Sequence, residues 1–197
     1  MKVLKILGIG LLVIIVLVVG ISFFLPKTYH IERTVSIDAP AAQVHRLTSD
    51  LQNGWPQWEP WSEMDESIET TYGDIVAGVG ATQAWTGKDG DGTLAFTVCD
   101  VAAGIEYDMT FNVDQYISTG KLSYTPTATG TDVTWEMDGG VSGVIGKYFG
   151  YMMDSMVGPM FETGLDNLKV AVEALPPIEE QVAPEEGAEE AAEDEAA

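Results

Sequence analysis

In three stretches between residues 92 and 138 the large apolar side chains fall on every second position. Ile105, Tyr107, Met109 and Phe111 share one parity, and Glu106, Asp108, Thr110 and Asn112 share the other. Leu94, Phe96 and Val98 repeat the pattern, as do Val133, Trp135 and Met137 against Thr134, Glu136 and Asp138. A period of two with one wet face specifies an antiparallel sheet covered on one side only. Turns rich in Gly, Asp and Lys divide the chain from residue 67 to residue 138 into segments at about 67–73, 79–87, 92–101, 104–113, 118–126 and 131–138. The cover must come from elsewhere in the chain, and residues 143–175 supply it. Tyr148, Met152, Met156 and Met160 recur every four residues, and Leu168, Val172 and Leu175 extend an apolar stripe. Pro159 costs a long helix one hydrogen bond, so a kink or break is expected near Gly158-Pro159.

Upstream, Tyr29 to Ile37 alternates and is rich in β-branched residues, which predicts a further strand. Asp38 is placed to cap the next helix, with Pro40 near its first turn and Val44, Leu47 and Leu51 at helical spacing. Then comes NGWPQWEPW, residues 53–61, with three of the five tryptophans of the chain and two prolines between them. Proline stops this segment from being an ordinary helix or an inner strand. It reads as a short helix or lid. Residues 27–175 form one domain of ordinary size.

Ahead of that domain, Ile6 to Leu25 are twenty uncharged residues, sixteen of them Ile, Leu, Val or Phe. A helix of this length spans roughly 30 Å, the thickness of the hydrocarbon layer of a bilayer. Residues 1–26 therefore read as an N-terminal transmembrane anchor. The rival is a cleaved signal peptide, with Gly20-Ile21-Ser22 as a weak cleavage site; its apolar region is usually shorter, about 7–15 residues. Lys2 and Lys5 precede the span, which keeps that end in the cytoplasm and puts the domain on the extracytoplasmic side of the cytoplasmic (inner) membrane.

The net charge is −22. Residues 176–197 hold nine acidic groups and no basic one, leaving 22 acids against nine bases, or −13, on the rest. The tail has little to bury and repels itself, so it is expected to be disordered. An acidic body excludes nucleic acid as a partner, since phosphates need a basic footprint. A saline habitat accounts for the acidity equally well. The single cysteine, Cys99, forbids an internal disulfide and reads as a small buried hydrophobe.

Strand, helix, short helix, six strands and a long C-terminal helix are the order of a helix-grip architecture, and several motifs fall in the matching places. Ser36-Ile37-Asp38-Ala39-Pro40 enters the first helix and Trp58-Glu59-Pro60-Trp61 follows it. Gly78-Val79-Gly80-Ala81 with Trp85 comes next, then Gly130 to Gly139, and Gly164-Leu165-Asp166-Asn167-Leu168-Lys169 lies in the last helix. On these residues the chain resembles the SRPBCC superfamily (START-like, polyketide cyclase/dehydrase and lipid-transport proteins), in its membrane-anchored bacterial branch. The resemblance implies an α+β fold: a curved antiparallel sheet of about seven strands wrapped around the long C-terminal helix, with an apolar cavity between them. It implies no particular reaction, because one fold hosts many functions.

With that fold, the aromatic and methionine side chains become candidate walls of a ligand pocket. They are Trp58, Trp61, Trp85, Phe96 and Tyr107, together with Met109, Phe111, Trp135, Met152 and Met156. Core packing is the competing reading for any one of them. Catalytic arrangements find less support. His30 and His45 have no H-x-x-x-H or H-E-x-x-H spacing, no G-x-S-x-G is present, and Gly78-Val79-Gly80 reads as a turn. The acidic rows Glu106/Asp108 and Glu136/Asp138 have the parity of a solvated face. The expectation is a protein without metal or cofactor that binds a hydrophobic small molecule or lipid. The alternatives are a cyclase- or dehydratase-like enzyme using Tyr107, Glu63 or His45 as acid or base, and an envelope regulatory module whose acidic tail engages a partner protein.

Overall fold

A computed structural model describes residues 2–88, 90–112 and 116–178. The tail expectation for 176–197 falls almost wholly outside the described residues. Helix α1 (Lys2–Ser22) leads by five residues into β1 (Thr28–Ile37), followed by α2 (Ala41–Thr48), a 3-10 turn (Trp55–Gln57) and α3 (Trp61–Met64). Six strands follow: β2 (Glu69–Tyr72), β3 (Thr82–Thr86), β4 (Gly92–Asp100), β5 (Gly104–Phe111), β6 (Tyr116–Pro126) and β7 (Thr131–Gly140). Helix α4 (Gly143–Glu173) closes the domain. The seven strands make one antiparallel sheet in the order β1-β7-β6-β5-β4-β3-β2. The strand parity implied the one-sided antiparallel sheet, and the whole is the α+β helix-grip arrangement that the family resemblance implied.

Three local expectations need correction. Val98 does not share the inner face with Leu94 and Phe96, because a bulge between Phe96 and Val98 shifts the register. The extra residue turns Val98 outward and brings Cys99 inward opposite Ile105. Asp38 does not cap α2; Pro40 occupies the cap position without a side-chain bond, while the Asp38 N–H donates to Glu173 Oε1 at 3.0 Å. Helix α4 runs unbroken through Pro159. Contact with β1 continues on both sides of the proline, where Arg33 bonds Asp154 before it and Glu162 after it.

Helix α4 lies along the β1 edge, and its inner face is not the methionine row. Gly146, Gly150, Val157, Phe161, Leu165, Leu168 and Val172 turn toward the domain, whereas Met152 and Met156 stand on the exposed side. A four-residue spacing drifts about 40° per step on a 3.6-residue helix, so such a row cannot hold one narrow face for long. The inward positions near the start are glycines, with Val141 packed against Gly150, so hydrophobicity there marks the outer side. Arg33 and Lys169 donate to the edge carbonyls of Glu32 and Ser36, at 2.7 and 2.6 Å, which blunts the β1 edge. Helix α1 is long and apolar enough to cross a membrane, a test that a signal sequence also passes.

Candidate ligand-binding site

The register sorts the inner face of the sheet into rows. Trp85, Gly92 and Phe111 pair across β3, β4 and β5 in the row nearest the end where β1 begins. The next row is Leu94, Met109, Ser118, Gly139 and Tyr29. Phe96, Tyr107, Gly120, Met137 and Ile31 form a third, and Cys99, Ile105, Leu122, Trp135 and Arg33 a fourth. Two glycines allow the aromatic members to lie flat. A Cβ on Gly120 would meet the Tyr107 ring at 2.0 Å, and one on Gly92 the Trp85 ring at 2.1 Å.

The middle rows are sealed by the proline-punctuated segment. Trp55 and Trp58 descend onto the sheet, with ring centroids 5.1 Å apart; Trp55 lies 5.7 Å from Phe96 and 5.6 Å from Tyr107. Trp58 meets Trp135 edge-on at 5.2 Å, and Trp135 stacks on Phe161 of α4 at 3.9 Å. Such offset and edge-to-face contacts add about 0.5–1.5 kcal/mol each beyond the area they bury. Polar handles are matched with one exception. Trp55 Nε1 donates to the Thr48 carbonyl at 2.8 Å, and Trp135 Nε1 to Tyr107 Oη at 2.9 Å. Trp58 is 1 % exposed, and its Nε1 has no acceptor among the described residues.

Of the ten candidate wall residues, Trp58, Phe96, Tyr107 and Trp135 meet in this nest. Trp61, Trp85 and Met109 are half-buried against it, and the half-buried Phe111 lies beside Trp85 at 6.4 Å. Met152 and Met156 are elsewhere, on the outer side of α4, where Met153 and Val157 are their inward neighbours. Trp55 and Phe161 belong to the nest and were not among the candidates. Trp55 had a signal, the three-residue step to Trp58; Phe161 was hidden by the methionine row beside it.

The acid–base candidates do not converge. Tyr107 is fully buried, and burial pushes its hydroxyl up to about 12. Glu63 is exposed on α3. His45 faces the far end of the sheet, with Nε2 3.6 Å from Cys99 Sγ and Nδ1 3.4 Å from Tyr124 Oη, whose other partner is the Thr48 hydroxyl. Burial lowers the His45 pKa against the pull of Asp100, and burial raises the Cys99 thiol. An activated thiolate–imidazolium pair needs both shifts reversed. On the outer face, cross-strand pairing rather than sequence spacing gathers His30, Glu32 and Glu136, with His30 Nδ1 2.9 Å from Asp138 Oδ1. A groove of about 340 Å³ between β1 and α4 is lined by Arg33, Thr34, Val35, Glu162, Leu165 and Asp166. Its guanidinium is already bonded to Glu162 at 2.7 Å and Asp154 at 2.8 Å.

A sequence profile for polyketide cyclase/dehydrase and lipid-transport proteins matches residues 28–173. The chain belongs to this family. Solved structures agree on the fold of this SRPBCC domain. Protein CV1439 from Chromobacterium violaceum is 17 % identical, with a TM-score of 0.53 over 75 % of this chain and 99 % of its own. A protein from Rhizobium leguminosarum is 18 % identical, with a TM-score of 0.55 over 75 % and 95 %. The di-domain ARO/CYC BexL of the BE-7585A biosynthetic pathway is 19 % identical, with a TM-score of 0.53 over 76 % of this chain and 52 % of its own. No match is found among curated protein sequences. The family fold suggests a ligand-binding domain. In this SRPBCC domain α4 adds Phe161 to the aromatic nest that Trp55 and Trp58 close over the sheet.

Proposed function

We propose that this SRPBCC domain binds a hydrophobic small molecule or lipid between its sheet and α4 without covalent chemistry. Helix α1 anchors it in the cytoplasmic membrane, with the domain on the extracytoplasmic side. The observation that carries the reading is the indole N–H of Trp58, a buried donor without an acceptor among the described residues, set among Trp55, Trp135 and their ring neighbours. A buried donor left unpaired costs about 1–3 kcal/mol. An apolar guest bearing one carbonyl or hydroxyl oxygen would satisfy it and use the ring faces for its body. Entry would be by way of the segment from Trp55 to Met64, which Pro56 and Pro60 divide into short pieces.

The half-exposed side chains Trp61, Trp85, Met109 and Phe111 are then the mouth. Tyr107, with its hydroxyl held at about 12, is a poor proton donor or acceptor near neutral pH, which favours binding over cyclase or dehydratase chemistry. The test is mass spectrometry of organic extracts from the purified full-length protein, beside Trp58→Phe. A reproducible apolar species in the parent and its loss in a folded Trp58→Phe protein supports the proposal. Extracts repeatedly free of any such species overturn it.

A further inference from the structure

The first half of α4 carries a hydrophobic row that the domain does not use. Ile145, Phe149, Met152 and Met156 are 72, 51, 51 and 45 % exposed. Their spacings of four, three and four residues keep them within one narrow sector of the helix, opposite the glycines that face the domain. The same outer side is more polar farther along, where Thr163 and Asp166 are exposed together with a single apolar residue, Val170. The only charges between Gly143 and Met160 are Lys147 and Asp154, and Asp154 is turned to Arg33.

What covers this row is indicated by its neighbour. Tyr148 Oη donates to the carbonyl of Val18 and Lys147 Nζ to that of Ser22, each at 2.8 Å, and Lys147 lies 5.9 Å from the Phe23 ring centre. The start of α4 is thus bonded to the last turn of the apolar helix α1, so any bilayer that holds α1 reaches the row as well. Tyr and Lys at such a junction are the side chains that settle at the membrane–water boundary. An apolar sector with few charges, followed by a polar one, is the pattern of a helix lying in that boundary.

We propose that the outward face of α4 from Ile145 to Met156 is immersed in the interface of the bilayer that α1 enters, so that the domain sits on the membrane as well as being tethered to it. This rests on reading α1 as a span. It is independent of whether the aromatic nest holds a guest.

The experiment uses the full chain in phosphatidylcholine vesicles, with Cys99→Ser as background and single cysteines carrying the NBD fluorophore. Labels are placed by Phe149→Cys, Met152→Cys, Asp166→Cys and Ile14→Cys, and nitroxide-labelled phosphatidylcholine is the quencher. Circular dichroism confirms that each variant is folded. The expected result is loss of fluorescence at 14, 149 and 152, with the label at 166 unaffected. Quenching at 14 alone overturns the proposal while leaving the span intact. Quenching at none of the four overturns the span reading and the proposal together. A label at 149 that is shielded yet unquenched, with cross-linking between chains, assigns the row to a second copy and also overturns it.

Discussion

Arg33 shows how one side chain ties two elements together. It points from the inner face of β1 to α4, bonding Asp154 and Glu162, and a Cβ on Gly158 would meet its Nη2 at 2.0 Å. Gly158→Ala should therefore lower the unfolding midpoint in the parent by displacing the guanidinium. In an Arg33→Ala background the loss should be smaller, because the guanidinium is gone, although the new Cβ still meets the ring of Pro159. A double-mutant cycle by urea denaturation reads the difference. The histidines make opposite demands on pH. Burial keeps His45 below its ordinary value, so below about pH 6.5 the unfolded chain takes up the proton first and stability falls as pH drops. His45→Gln should flatten that fall. His30 is raised chiefly by its bond to Asp138, so its contribution is full below about pH 6.5 and is lost as pH rises through the raised value. It is half exposed, and about 0.5 M salt should erase this effect while leaving that of His45. Midpoints measured between about pH 5 and 8, where carboxylates no longer titrate, separate the two.

Among the elements, α4 is the most informative. Pro159 denies the carbonyl one turn earlier its N–H, yet the helix continues. Pro159→Ala should raise stability by about 1–2 kcal/mol, less than the full propensity difference because the unfolded chain also gains freedom. Thermal unfolding by circular dichroism checks it. Strand existence was legible because parity is local: Ile105, Tyr107 and Met109 declare their face without knowledge of the rest. The bulge after Phe96 was not, since one inserted residue leaves no trace in composition and reverses Val98 and Cys99. The face of α4 was misread for a similar reason. Gly146 and Gly150 face inward because they are small, and hydrophobicity cannot see a contact made by an absent side chain. Of the candidate site, the tryptophans were legible by mass alone, whereas Phe161 became visible only when stacked on Trp135.

For the whole molecule, charge is the term that no single contact cancels. The −22 total, with −13 left when the nine acids of 176–197 are set aside, means that like charges crowd the folded surface. Compaction works against that repulsion, so added salt should stabilise. The midpoint of the full chain is expected to rise between about 10 and 150 mM sodium chloride. Removing residues 176–197 should shrink the rise, and a midpoint that falls with salt in both chains would show that ion pairs dominate instead.

The five residues between α1 and β1 set a leash. Fully stretched they cover about 17 Å, and the backbone of Lys27 is already taken by the N–H of Val141. If α1 is embedded as proposed, the domain is moored within touching distance of one lipid surface and has no slack to visit another. On the proposed reading, a guest would have to diffuse to it sideways through that leaflet or be handed over by another carrier, which makes the domain a quay and not a ferry.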